Sequence, residues 1–558
     1  MTINLDNLNV ENCELLDSLC QKKQSSYANL IKNIFDIYKS DHKNADLNIL
    51  HPVFSKDDRV KGLFYRLCKL SLVKILYKKN VKSFFTSDKV LAKIIKKKYQ
   101  DVSIKLNKKN KIKIFSKTLN FAKNFFYIIN LFFAKNTKRK DEIIKRNEEI
   151  IIIETFYSKN LFKNNQFNEQ YHHSIINKNK KSNLKKLIYF YPIILINAPL
   201  KKYIEIAKKK LEKQIFCFDF LHFKDYFVAL FFSSFFDKEK IRNIFFDHYQ
   251  VDDLIKSFIN ENRQNRSTII AILNYYFFKR LKEQDIKIKL IIDWYENQII
   301  DKGFNLGKNK FYEKVKCKGH MGFVTDFGTS ARLKPSIFEQ KQKLLPDEIL
   351  VCGPKIKKII CQNNNSLKVK VVPALRNQHL YELNKVILKK RKKKKELLVI
   401  FSADNDETFK ILDILNKIKN DKDLYQYSIK VRLHRQTPKS KIQDKIKDFI
   451  IDDKEFMSSL LIADLVIVTG STAAIEAYII GKNVIIIGNT DGVTKNPLRD
   501  KTSKNAYRVC YNEFQLLNKI KYFENLKFRS TIKQKNRQKI LKEFFTKMNK
   551  KKMDNFFN

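Results

Sequence analysis

The chain has 558 residues, more than one hydrophobic core usually holds, so two domains with an added N-terminal segment are expected. Lys and Arg number 112 against 58 Asp and Glu, a formal charge of +54 that draws a surface toward polyanions or anionic lipid, although an AT-rich genome produces the same bias. Eight cysteines, Cys13, Cys20, Cys68, Cys217, Cys317, Cys352, Cys361 and Cys510, show no paired spacing, which argues against both a disulfide framework and a zinc site.

The opening MTINLDNLNVENCELLDSLC lacks the basic start and apolar centre of a signal peptide. The longest apolar runs, 125–134 and 227–236, are about half the roughly 20 residues that a membrane-spanning helix needs. A reducing cytoplasm is the expected compartment. From residue 1 to 147 the pattern is helical and basic, as in VLAKIIKKKYQ and NFAKNFFYIINLFFAKNTKRK, with apolar residues at spacings of three and four and Lys between them. Two readings fit: solvated helices packed on a domain, or docking onto an anionic membrane surface at the inner face of the cytoplasmic membrane. No nucleic-acid-binding motif is present and the lysines form no single stripe, so no specific nucleic acid is expected as a partner.

A first α/β domain is expected over 148–345. Strands are predicted at 150–156, 187–196 and 215–221, followed by a helical region over 223–282. His172 and His173 fall in a polar loop and are expected to face solvent. The branched run 286–292 ends in Asp293, Trp294, Tyr295, Glu296, Asn297 and Gln298, polar groups at the strand edge where open α/β sheets place ligands. The segment VKCKGHMGFV, 315–324, is read as a Gly-His-Met-Gly turn. His320 is its best candidate base, because imidazole titrates near neutral pH, with Asp326 the runner-up and Glu296 a further candidate.

A second α/β domain is expected over 346–525. The strand–helix–strand pattern of 346–373 opens it, and KKRKKKKE, 389–396, marks an edge. Strands at 397–401, 428–433, 465–468 and 484–487 alternate with helices at 408–418, 456–462 and 473–480, which requires a parallel sheet with right-handed crossovers. Ser402, His434 and Gly470 therefore fall at strand ends on one edge. Gly470, Ser471 and Thr472 form a small-residue turn before a helix, and Glu476 follows Thr472 by four residues on the same face, able to accept from sugar hydroxyls. The triplet Asp404-Asn405-Asp406 opens a helix and reads as an N-cap rather than a metal-binding DxD. Residues 526–558 are read as a C-terminal helix and basic tail.

The turn GSTAAIEA resembles the nucleotide-binding turn in the C-terminal domain of GT-B glycosyltransferases, including those that build bacterial capsule, O-antigen and lipopolysaccharide. The strand end VRLHRQ precedes it in the same order, with His434-Arg435 where many GT-B enzymes carry His-Pro. The phrase WYENQ followed by GFNLG is similar to the ENQ-containing segment of surface-carbohydrate biosynthesis proteins. The resemblance implies two Rossmann-like domains facing a central cleft, behind a helical basic N-terminal extension. It also implies transfer from a nucleotide-sugar donor to a glycan or lipid-linked acceptor without metal or cofactor. Ser402, His434, Gly470, Ser471, Thr472 and Glu476 would then meet the donor, and His320, Glu296 or Asp326 the acceptor. A nucleotide-sugar 2-epimerase and a CDP-alcohol phosphotransferase share the fold and stay open, as does a degenerate scaffold that binds membrane or polyanion.

Overall fold

Three short segments among the charged stretches of the first 107 residues pair as a parallel sheet: Thr2–Asn4 (β1), Ser83–Thr86 (β2) and Ser103–Leu106 (β3), in the order β1-β2-β3. The computed structural model describes residues 2–39, 45–56, 62–107, 113–135, 144, 148–156, 162–163, 166–167, 169, 171–172, 175, 187–193, 213–232, 238–383, 395–402, 404–434, 442–499, 507–526 and 534–558. The N-terminal region is thus more than the helical extension expected, because strands of three or four residues are too short to display an alternation. Nor is it an appendage: Leu16, Ile34, Phe54 and Leu67 share one continuous core with Ile150, Ile291 and Phe304 of the first domain. A buried ion-pair cluster reinforces that junction. Lys56 and Lys302 reach Glu339 at 2.7 and 2.8 Å and, against the cost of burial, pull its carboxyl down to about 2.

The helices Lys113–Lys135 (α1) and Phe223–Phe232 (α2) lie over the first large sheet. That sheet is built from Glu149–Phe156 (β4), Ile188–Ile193 (β5), Lys287–Trp294 (β6), Lys316–Met321 (β7), Glu348–Val351 (β8) and Val369–Val371 (β9). Its order is β9-β8-β7-β6-β4-β5 and every pairing is parallel. The four consecutive isoleucines of β4 are buried on both faces, as a central parallel strand requires. The strand–helix–strand 346–373, expected to open the second domain, belongs here. Asp347 accepts the Cys317 N–H at 2.6 Å and the Lys308 ammonium at 2.5 Å, which fixes β8 beside β7. The strand expected over 215–221 is instead a helical turn, Cys217–Phe220, because the Asp219 carboxylate accepts the Phe216 N–H. Helices Arg266–Glu283 (α3) and Ile299–Phe311 (α4) cross closely: a Cβ on Gly303 would lie 2.1 Å from the Ala271 carbonyl oxygen.

The second sheet comprises Lys395–Ile400 (β10), Tyr427–Arg432 (β11), Ile450–Ile451 (β12), Leu465–Val468 (β13), Asn483–Ile487 (β14) and Tyr507–Cys510 (β15). All are parallel, in the order β12-β11-β10-β13-β14-β15, the alternation read from sequence. The helix Ala473–Ile479 (α5) joins β13 to β14, and Gly481 after it takes φ 88°, the left-handed C-terminal cap. The chain's end is not a free tail. After Gln534–Phe544 (α6), Met553 and Phe556 join Ile151, Ile153 and Ile292 in the first domain's core, and the Lys318 ammonium donates to the Asn555 carbonyl at 2.7 Å. Among the described residues, no helix is long and apolar enough to cross a membrane.

Candidate functional site

Each large sheet reverses its strand order once. In the first the reversal lies between β4 and β6, and in the second between β10 and β13. Crevices at such switch points, outside the C-terminal strand ends, are where doubly wound sheets hold ligands. Ile400 pairs with both Arg432 and Val468, so Ser402, His434 and Gly470 lie just beyond three adjacent strand ends. Trp294 pairs with His320, which sets those two side by side at the first sheet's edge.

His320 sits within β7, not in the loop expected for its Gly-His-Met-Gly run. The strand continues through Gly319, which pairs with Asp293 and Ile349 and has no room for a side chain: an added Cβ would lie 2.6 and 2.9 Å from Pro346 and Tyr295. His320 is buried, and its Nδ1 lies 3.1 Å from His172 Nε2. Its Nε2 has no hydrogen-bond partner among the described residues, and Gly322 leaves room beside that atom. Burial, with His172 and the Arg376 charge, holds the imidazole well below its ordinary range. His172, expected in solvent, is also buried: its N–H donates to Glu169, its ring lies against Trp294 and His320, and burial lowers it to about 3. His173 lies outside the described residues.

Glu296 accepts from the Trp294 indole at 3.1 Å and the Gln298 amide at 2.6 Å, with Arg332 at 3.7 Å, so its carboxylate orients Trp294. Asp326 is more heavily engaged. It accepts from Thr329, from the Asn496 N–H at 2.8 Å and from Arg499 at 3.2 Å, while Arg499 also pairs with Asp17 at 3.1 Å. A buried carboxylate with this many donors ties three segments together. Beneath Trp294 lies an acidic group that the sequence reading passed over. Glu154 accepts the Trp294 N–H at 3.0 Å beside Asp293, whose other oxygen takes the Asn305 amide at 3.0 Å. Burial and the neighbouring carboxylate push Glu154 well above the carboxylic range, and burial raises Asp293 as well.

On the second sheet, Lys495 covers Gly470: a Cβ there would lie 2.1 Å from that of Lys495. The gap left among Thr469, Gly470, Thr494 and Lys495 is about 10 Å³, room for one water and not for a diphosphate. The half-buried Ser471 hydroxyl accepts the Ala473 N–H at 3.3 Å, and Thr472 donates to the Val324 carbonyl at 2.5 Å, joining the two sheet edges. Ser402 accepts the Asp404 N–H at 3.0 Å, and Asp404 caps its helix through the Asp406 and Glu407 N–H groups as expected. His434 follows β11 and is half-buried.

Glu476 has the more open surroundings. Its carboxyl accepts the Asn377 amide at 2.6 Å, and burial raises it to about 7 against the pull of the Arg376 charge and of that hydrogen bond. Arg376 is exposed, lies 4.9 Å over the Tyr171 ring, and its charge acts on both His320 and Glu476. The charge of one cation is thus felt by groups of both sheets. Neither Arg376 nor Asn377 carried a motif. Glu154 did carry a signal, as the acid that interrupts the apolar run EIIIIETF.

The two doubly wound sheets with facing C-terminal edges have the GT-B architecture. No family model matches the chain, and no curated protein matches it significantly. Solved structures similar to it include the Acinetobacter baumannii MurG, 8% identical over 70% of this chain and 95% of that one, with a TM-score of 0.38. The S. aureus MnaA–UDP co-structure is 9% identical over 74% and 95%, with a TM-score of 0.42. The wall teichoic acid polymerase TagF with CDPG is 11% identical over 80% and 96%, with a TM-score of 0.34.

Proposed function

We propose that the chain transfers a sugar from a nucleotide-sugar donor to a glycan or lipid-linked acceptor in the cleft between the two sheet edges. The observation that carries this reading is the charge of Arg376, which acts on both His320, whose Nε2 has no partner among the described residues, and the carboxyl of Glu476. In it, Glu476 and Asn377 hold donor hydroxyls, and Ser402, His434, Ser471 and Thr472 line the donor side. Because Gly470 is covered, the diphosphate belongs toward Arg376, whose fixed positive charge stabilises the leaving group as the bond between sugar carbon and phosphate oxygen lengthens. The acceptor oxygen forms the new bond to that carbon and passes its proton to His320 Nε2. A neutral imidazole is ready for this at physiological pH, and an anionic donor beside it raises its proton affinity.

The test is calorimetric titration of the full chain with a panel of nucleotide sugars and CDP-alcohols. Arg376→Ala and Glu476→Ala should each weaken the bound donor by about 1–3 kcal/mol, the value of a hydrogen bond to a charged group. His320→Gln should keep donor affinity and lose turnover. If no donor binds, or if both variants bind as the wild type does, the reading is wrong. Formation of a second nucleotide sugar without any acceptor would replace transfer with epimerisation.

A further inference from the structure

Two adjacent helices carry phenylalanines outward in register. On α1 the exposed large apolar side chains are Leu119, Phe125, Phe126 and Phe133, of which Leu119, Phe126 and Phe133 recur at intervals of seven and so lie along one line of the helix, with exposures of 53, 64 and 61%. On α2 they are Phe223, Phe227 and Phe231, at intervals of four, with exposures of 58, 37 and 42%. The two lines lie side by side: Phe132 meets Phe223 at 5.2 Å between ring centres, and Phe121 meets Phe231 at 6.3 Å.

The opposite side of α1 is pinned to the domain. Asn124 donates to the Gln264 carbonyl at 2.7 Å and accepts from Arg266 at 3.1 Å, while Ile128 and Leu131 are buried. The outward aromatic face therefore reflects the helix pattern and not a loose fit. Water is a poor solvent for seven large apolar side chains on two adjoining helices, and patches of this kind mark contact surfaces.

Charge selects the partner. α1 contains no acidic residue, and the only one on α2, Asp225, is buried and paired with Arg280. Lys123 and Lys224 are exposed on these helices, and in sequence KKNKIK (108–113) precedes and KRK (138–140) follows close to α1. Phenylalanine beside lysine without carboxylates is the chemistry that enters the headgroup region of an anionic bilayer. The inner side of the same helix, through Tyr127 and Leu131, walls a small cavity that reaches Glu154 and Tyr191. A bilayer on the outer side would then lie about one helix diameter from the first sheet's switch point.

We infer that the α1–α2 face docks on an anionic membrane surface. The test is co-sedimentation of the full chain with vesicles of phosphatidylglycerol and phosphatidylcholine, and with vesicles of phosphatidylcholine alone. Wild-type protein should partition onto the anionic vesicles and be released by salt. The triple variant Phe126→Ser, Phe133→Ser, Phe223→Ser should lose at least about tenfold in partitioning with an unchanged melting temperature. Phe514→Ser, which removes an equally exposed ring from the second domain (71%), should bind as wild type does. The proposal is overturned if wild type stays in the supernatant, or if Phe514→Ser costs as much as the triple variant. It is also overturned if the triple variant instead turns a vesicle-free dimer into monomer, because a second copy then covers the face.

Discussion

Glu476→Gln is expected to make the protein more stable above neutral pH while weakening its donor. In the fold, burial lifts this carboxyl from 4.5 to about 7, with the Arg376 charge and the Asn377 amide pulling the other way. The folded-state value lies above the unfolded one, so the folded chain holds the proton more tightly. Stability is full below about pH 4.5, falls as pH rises toward about 7, and stays reduced beyond it. At about 1.4 kcal/mol per pH unit the displacement is worth roughly 3 kcal/mol, and partial solvent access to the side chain brings the expected cost to about 1–3 kcal/mol. Glutamine cannot ionise, and its amide oxygen still accepts from Asn377. Urea unfolding of both proteins from pH 4.5 to 8.5 should show a small gap at the acid end and about 1–3 kcal/mol in favour of glutamine at pH 8, roughly 4–8 °C for 2 kcal/mol in a domain of this size. A gap that does not vary with pH, or a glutamine variant less stable at pH 8, would refute the argument.

Asp326→Ala should cost about 1–3 kcal/mol in denaturant unfolding, because it leaves the buried Asn496 N–H unpaired and Arg499 with Asp17 as its remaining carboxylate; loss of turnover with stability intact would instead make Asp326 a base. The two buried histidines should make the fold acid-labile. Their folded-state values lie below the unfolded 6.5, so stability is lost as pH falls from about 6.5, at up to about 1.4 kcal/mol per pH unit for each. His172→Gln should flatten that slope in unfolding between pH 5 and 7, and an unchanged slope would place His172 in solvent. Gly303→Ala forces a methyl into the Ala271 carbonyl and should destabilise by about 1–3 kcal/mol or more, read as a lower thermal midpoint.

The second sheet was legible because its strands are separated by helices long enough for right-handed crossovers, and apolar runs such as LVIV announce buried parallel strands. The first sheet was legible in part: β4, β5 and β6 are marked by apolar runs, but β7, KCKGHM, reads as a turn, and nothing in EILVCGP shows that β8 pairs with it. That choice is made by Asp347 reaching Cys317 and Lys308. The candidate site divides in the same way. Strand-end positions such as Trp294, His434 and Gly470 follow from the alternation of elements, whereas burial of His172 depends on Trp294 and His320, more than a hundred residues away in the chain. Arg376 becomes notable only once the fold brings its charge to act on His320 and Glu476, groups of different sheets.

The sequence by itself determined the parallel α/β layering, the sheet edge that carries the polar groups and the cationic, aromatic character of α1, because each is written in the local spacing of apolar and polar residues. Tertiary structure alone decided which sheet takes β8 and β9, that Lys495 covers Gly470, that two histidines share a buried contact and that the C-terminal segment packs into the first domain. These are pairings between residues far apart in the chain, set by competition among all the surfaces available to each segment. No local pattern records the outcome of that competition.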